Sequence, residues 1–235
     1  AYYSRRLRPE KVTQVYGTHG VRLVERGWPA AIPLVPCEKR PSIAGWEKYN
    51  ISDVSLEQAE CWARMYPDHG IGHAAGHGLV GIDLDTDLKK QAVKSKYIAD
   101  ACLGATPMIR VGRAPRVMRY YRIAGQHRNP VATRSFHLFA IYATTGQTAW
   151  YGTHPSTRKP YTWAEASPID IGPNDLPTVT RANLQSFVQE MSSTFPAPLG
   201  SDRRAHDISA SSALAGGGIT ASIMREMAFS SCTPP

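Results

Sequence analysis

Residues 78–87 read Gly-Leu-Val-Gly-Ile-Asp-Leu-Asp-Thr-Asp, and their alternation decides the fold. The pattern predicts a strand from Leu79 to Asp85, because successive strand side chains point to opposite faces. Ile82 and Leu84 then enter a core. Asp83 and Asp85 project together from the other face, with Cα atoms roughly 6.6–7 Å apart. Two carboxylates so placed can hold Mg2+ or Mn2+, since such ions take carboxylate and substrate phosphate together. Two-ion phosphoryl transfer would need ions about 3.5–4 Å apart. Alone, an Asp-x-Asp pair is better explained by a strand running into a turn, and Asp87 equally by a loop residue or a helix N-cap.

Elements on either side of this strand follow from periodicity and punctuation. Before it, residues 11–27 read as a helix weakened by Gly17 and Gly20, and residues 30–35 as a short buried strand. Ser55 is a good N-cap for a helix from Leu56 to Met65, with Gln58 in the capping-box position. Gly70 to Gly78 reads as a Gly- and His-rich loop. Its His69, His73 and His77 are spaced four apart, but the intervening glycines argue against the helix that would aim them at one zinc ion. After the strand come a helix from Leu88 to Leu103, strands over Val117–Ile123, Phe136–Tyr142 and Thr148–Tyr151, and a helix over Arg181–Met191. From Ser192 onward the Ser/Ala/Gly/Pro-rich composition is that of a linker, with one more short helix expected over Ile219–Phe229.

The formal net charge is +8, and its distribution matters more than its size. No carboxylate occurs between Asp100 and Glu165, whereas that stretch holds Arg110, Arg113, Arg116, Arg119, Arg122, Arg128, Arg134, Arg158 and Lys159. Such a surface repels itself unless it faces an anion, for which nucleic acid or nucleotide phosphate is the obvious choice. No apolar run approaches the roughly 20 residues of a membrane span, and no apolar segment follows the basic N-terminus as in a signal peptide. The four cysteines are scattered without a Cys-x-x-Cys pair, which argues against a zinc ribbon or disulfide scaffold and for a reducing, cytoplasmic setting.

Three further segments carry chemistry. In Thr133–Tyr142, Ser135 and His137 would share a strand face beside a carboxylate site. In Arg110–Arg122, Gly112 and Pro115 exclude a clean helix, so Arg110, Gly112 and Arg113 form a loop suited to phosphate. In Tyr151–Trp163, His154, Arg158, Lys159, Tyr161 and Trp163 interleave bases with aromatics, as phosphate contact plus base stacking requires. Each has a plainer explanation in solvated arginines, a half-buried histidine or core aromatics.

Taken in order, these segments resemble the bifunctional primase-polymerase family of the archaeo-eukaryotic primase superfamily, of the kind found in phages and plasmids. The likeness runs from "ERGWPAAIPLVPCEKRPSIAGW", with its Lys-x-Pro and Gly-Trp, through "WARMYPDHGIGHAAGHGLVGIDLDTD", to "LGATPMIRVGRAPR", "GQTAWYGTHPSTRKPYTW" and "PNDLP", over roughly residues 20–190. The resemblance implies an α/β (α+β) fold, an RRM-like catalytic sheet with flanking helices and a smaller α/β module. It implies primer synthesis from nucleoside triphosphates on a single-stranded DNA template, with Mg2+ or Mn2+ as cofactor, and in some members a helicase partner. Asp83 and Asp85 match the metal pair and, with His137, the catalytic set. Ser135 and His137 match a Ser-x-His motif for nucleotide, to which Arg110, Arg113 and Lys39 are added. Arg116, Arg119, Arg158 and Lys159 are assigned to nucleic acid. Residues 1–192 would form the catalytic domain, 193–218 a linker and 219–235 the start of a truncated accessory region.

One departure stands out. The family supplies a third acid on a later strand, just before a glycine-containing turn. Here that strand is "LFAIYATTG", and the expected place, Ile141 or Tyr142, carries no carboxylate; the next acids are Glu165 and Asp170. Two alternatives therefore accompany the primase reading: a catalytically degenerate module of the same fold that binds single-stranded nucleic acid, and an unrelated metal-dependent nuclease or phosphoesterase.

Overall fold

The computed structural model describes residues 14–124 and 132–198. Its elements in order are α1 (Val15–Glu25), β1 (Ala31–Leu34), a 3₁₀ turn (Trp46–Asn50), α2 (Leu56–Met65), β2 (Gly70–Ala74), β3 (Leu79–Leu84), α3 (Lys89–Leu103), β4 (Ile109–Val111), β5 (Val117–Ile123), β6 (Arg134–Ser135), β7 (Phe139–Tyr142), β8 (Gln147–Tyr151), β9 (Thr162–Trp163), β10 (Thr178–Val179) and α4 (Arg181–Thr194). The expected mixed α/β class holds. A seven-stranded sheet runs β6-β7-β3-β5-β4-β9 with β10 pairing β5, and a three-stranded sheet runs β1-β2-β8. Apart from the parallel β10–β5 pair, the ladders are antiparallel.

β3 is the axis of the large sheet, lying between β5 and β7. Its alternation feeds two cores. Val80, Ile82 and Leu84 face Tyr121, Ile123, Phe139 and Ile141, covered by Leu103 of α3 and Leu184, Phe187 and Met191 of α4. Leu79 turns to the other face, where Met118 and Tyr120 meet Trp28, Ile32, Ile71 and Trp150 of the smaller module. Two helices, α2 and α4, are opened by side-chain caps. Ser55 Oγ accepts from Gln58 N at 3.2 Å and opens α2 as expected. Thr180 Oγ1 accepts from Asn183 N at 3.1 Å and opens α4, a capping interaction typically worth about 1 kcal/mol. Gly20 in α1 is a packing requirement: a Cβ there would lie 2.4 Å from the Tyr16 ring, whose hydroxyl donates to Ala31 O at 3.0 Å.

Several expected boundaries change. The Gly/His-rich segment is strand β2 rather than a loop. Gly70 is required there, because an added Cβ would stand 2.8 Å from Tyr151 O, whereas at Gly72 it would crowd the Gln147 Oε1 at 2.7 Å. The expected strand over Phe136–Tyr142 begins only at Phe139, and a turn closed by Phe136 N donating to Phe139 O at 2.8 Å separates it from β6. α4 extends to Thr194, and β4 was not anticipated. Cys37 and Cys102 are free. Most of the expected linker, the helix over Ile219–Phe229 and the 219–235 segment lie outside the described residues. No helix among the described residues is long and apolar enough to cross a membrane.

His73 lies at the centre of the smaller module, stacked on Trp150 at 4.4 Å and edge-on to Trp28 at 6.1 Å. Burial, then the neighbouring His77, drives its pKa down to about 3. Its folded pKa is thus below the unfolded value, so its contribution is complete above about pH 6.5 and is lost as pH falls toward 3. Chemical denaturation from pH 6.5 to 4 should show stability falling by up to about 1.4 kcal/mol per pH unit from this residue. His73→Phe should flatten that slope; an unchanged slope would show that His73 does not control it.

Candidate active site

The smaller sheet covers the front face of the large sheet at the Leu79 end of β3 and leaves the Asp83 end open. There a cleft is lined by Lys39, Asp83, Asp85, Arg110, Gly112, Arg113, Arg116, Val117, His154, Pro155 and Ser156. Register explains this grouping. Asp83 pairs with Met118 on β5 and Ala140 on β7, Met118 pairs with Arg110 on β4, and Ala140 with Ser135 on β6. Directly paired residues share a face, so Asp83 and Arg110 project from the same row. Asp85 follows the end of β3, held by its backbone N–H donating to Leu138 O at 2.8 Å.

The cations come from three places. Lys39 sits in the 35–40 turn after β1, closed by Val35 N donating to Arg40 O at 2.9 Å. Arg110 is buried. One guanidinium nitrogen donates to Ala149 O, and the group lies 4.8 Å over the Tyr161 ring, a contact that holds a desolvated guanidinium in place. Arg113 and Arg116 follow β4 and converge on Asp87. Arg113 Nη2 donates to both Asp87 oxygens at 2.9 and 3.1 Å. Arg116 reaches the same carboxylate at 2.9 and 2.6 Å and donates to Asp85 as well. Asp87 is therefore neither an N-cap nor a free loop residue but a clamp on two arginines.

His154 was singled out in the sequence without a role, and the cleft brings it to the cations. Ser156 N and Thr157 N donate to its Nδ1 at 3.2 and 3.3 Å, so in the neutral ring the proton lies on Nε2. Gly112 makes room for it, since a Cβ there would stand 2.8 Å from His154 Cδ2 and 2.6 Å from Tyr161 Cε1.

Electrostatics separate the two halves of the site. Burial pushes the Asp83 carboxyl above its ordinary value and Asp85 adds to this, while Arg110, Lys39 and Arg116 pull it back. The hydrogen bond from Arg116 holds Asp87 below the usual carboxylate range. Burial, then Arg110, lowers Lys39. Burial, followed by Lys39, Arg110, Arg113 and Arg116, lowers His154. Desolvated cations that repel one another in this way are relieved by an anion.

Other expected site residues are distributed differently. Ser135 and His137 do not line the cleft: β6 stops at Ser135 and His137 lies in the turn beyond it, so the two do not share a strand face. Arg119 is buried on the helix-covered face of β5, where it donates to Asp100 and to Tyr121 Oη at 2.9 Å; it cannot contact nucleic acid there. Arg158 and Lys159 are exposed on the outside of the His154 loop. The position beside Asp83 on β7 is Ala140 rather than Ile141, which faces the other core. Tyr142 shares Asp83's face, and burial followed by the charge of Asp83 pushes its hydroxyl up to about 12. Neither Glu165 nor Asp170 lines the cleft, and Asp170 instead accepts from Ser167 N and Oγ at 2.8 and 2.6 Å.

Among the described residues, Asp83 and Asp85 are the carboxylates lining the cleft, and no cluster of three metal-ligating side chains occurs. The donor set suits an ion that draws its other ligands from phosphate and water better than a closed protein cage. Nitrogen-15 NMR of the imidazoles should find His154 as the Nε2–H tautomer, titrating below about 6.5, the ordinary histidine value. An Nδ1–H tautomer or a higher pKa would contradict this geometry.

No curated protein matches the chain. Residues 20–178, more than half of it, match the family model for the N-terminal domain of bifunctional DNA primase/polymerase, and the chain belongs to that family.

Proposed function

We propose that this chain is a metal-dependent nucleotidyltransferase that makes primers from nucleoside triphosphates on single-stranded DNA, as in phage or plasmid replication. The observation that carries the reading is the convergence of Asp83 and Asp85 with Lys39, Arg110, Arg113, Arg116 and His154 in one cleft. In this reading Asp83 and Asp85 hold Mg2+ or Mn2+, which would neutralise charge on the reacting phosphates. Lys39, Arg110 and Arg113 take the triphosphate, and His154 donates Nε2–H to it. Arg116 passes from Asp85 toward the incoming phosphate while Asp87 keeps it near. The chain's own contribution is positioning and charge stabilisation rather than covalent chemistry. Exposed Arg158 and Lys159 contact template phosphate without reading sequence. The catalytic domain includes α4 to Thr194 and works beside a helicase domain or protein, in the cytoplasm of a bacterial host.

The test is primer synthesis on single-stranded DNA with labelled nucleoside triphosphates and Mg2+ or Mn2+. Labelled oligomers are expected from the wild type and at least 100-fold less from Asp83→Ala/Asp85→Ala, a loss of about 2.7 kcal/mol or more in transition-state stabilisation. Degradation of the DNA without any requirement for nucleotide would instead support a nuclease.

Ala140 beside Asp83 favours a second reading, a degenerate module that binds single-stranded nucleic acid without polymerising. Ala140→Asp separates the two. In an active enzyme the added carboxylate should raise Mn2+-dependent incorporation by roughly tenfold, about 1.4 kcal/mol. In a binding module, wild type and variant should bind DNA equally, independently of metal, and incorporate nothing.

A further inference from the structure

β8 connects the two walls of the cleft. Three successive residues reach across it: Ala149 O accepts from Arg110 of the large sheet, Thr148 Oγ1 accepts from Tyr120 Oη at 3.1 Å, and Gln147 Nε2 donates to Lys39 O in the turn after β1. Lys39 and Arg110 are the two cations tied to this strand, and both act on the charge of Asp83. The Gln147 contact spans 108 residues of sequence and has a built seat. Gly72 on β2 leaves the space that the Gln147 amide crosses, since a Cβ there would lie 2.7 Å from Oε1 and 2.9 Å from Leu34 Cδ2. Gln147 Oε1 is itself buried with no hydrogen-bond partner among the described residues. A buried, half-satisfied amide is costly, and what holds this one in place is its bond to Lys39 O. The turn it holds carries Cys37 at a φ of 61°, a conformation that a non-glycine residue adopts only when its surroundings impose it.

We infer that Gln147 is a positioning residue for nucleotide binding: by fixing the main chain at Lys39, it sets the distance at which the Lys39 ammonium meets a triphosphate opposite Arg110. This rests on the reading of the cleft as a triphosphate site. Gln147 does not line the cleft, so its effect must pass through Lys39.

The experiment is a double-mutant cycle on ATP affinity, measured by isothermal titration calorimetry with Mg2+. Gln147→Met keeps the length of the side chain and removes the donor. It should weaken ATP binding about 3–10-fold in the wild-type background, the worth of one lost hydrogen bond, and less than twofold in a Lys39→Met background. Gly72→Ala, which crowds Gln147 from the opposite side, should show the same dependence on Lys39. In a second readout, ATP should protect Lys39 from amine-specific labelling in the wild type and protect it less in Gln147→Met. An equal loss in both backgrounds, with unchanged protection, would overturn the inference while leaving the triphosphate site intact. A Lys39→Met chain that binds ATP as well as wild type would overturn both the inference and the site reading.

Discussion

The structure depends on the alternation of β3 between two cores. One face, through Val80, Ile82 and Leu84, is sealed by α3 and α4. The other is sealed by the smaller module only as far as Leu79, whose cluster includes Trp150 and Tyr120. Beyond that cover, the same strand face that would bury an apolar side chain carries Asp83. The cost of desolvating this carboxylate is offset by the cations gathered opposite it. Where the cover of the small module ends, a cleft remains, lined by Asp83 and Asp85.

At the cleft, the charged side chains are held by named partners. Asp87 holds Arg113 and Arg116 at the rim, Tyr161 and Ala149 hold Arg110 at the wall, and the 35–40 turn brings Lys39 from the other sheet. Few of these side chains are free to relax away from their neighbours. That is the preorganisation expected of a site that meets a highly charged ligand, because the cost of bringing like charges together is met during folding rather than on binding.

Much of this was legible in the sequence where one local rule sufficed. The period-two pattern at Leu79–Asp85 identified β3 and the shared face of its aspartates, and Ser55 marked the start of α2. What was missed required long-range knowledge. β2 read as a loop because its glycines lower strand propensity, yet Gly70 and Gly72 are the residues that allow β8 to approach. The strand over Val117–Ile123 was legible, but not which of its faces is covered, so Arg119 was assigned to nucleic acid although it faces α3. The Asp87 clamp joins residues 26 and 29 positions apart, which no local pattern reveals. The run Phe136–Tyr142 concealed a turn, and with it the separation of His137 from Ser135. His154 carried a signal in its Gly-Thr-His-Pro-Ser-Thr context, whose backbone N–H groups select the imidazole tautomer.

The most direct measurement is electron paramagnetic resonance of protein-bound Mn2+, titrated with and without a non-hydrolysable nucleoside triphosphate. It should be made on the wild type and on Asp83→Asn/Asp85→Asn. If one cleft holds metal and triphosphate together, nucleotide should tighten Mn2+ binding to the wild type, and this coupling should vanish in the variant while the fold remains. Mn2+ and nucleotide that bind independently, or a coupling that survives the loss of both aspartates, would contradict the assignment of the cleft.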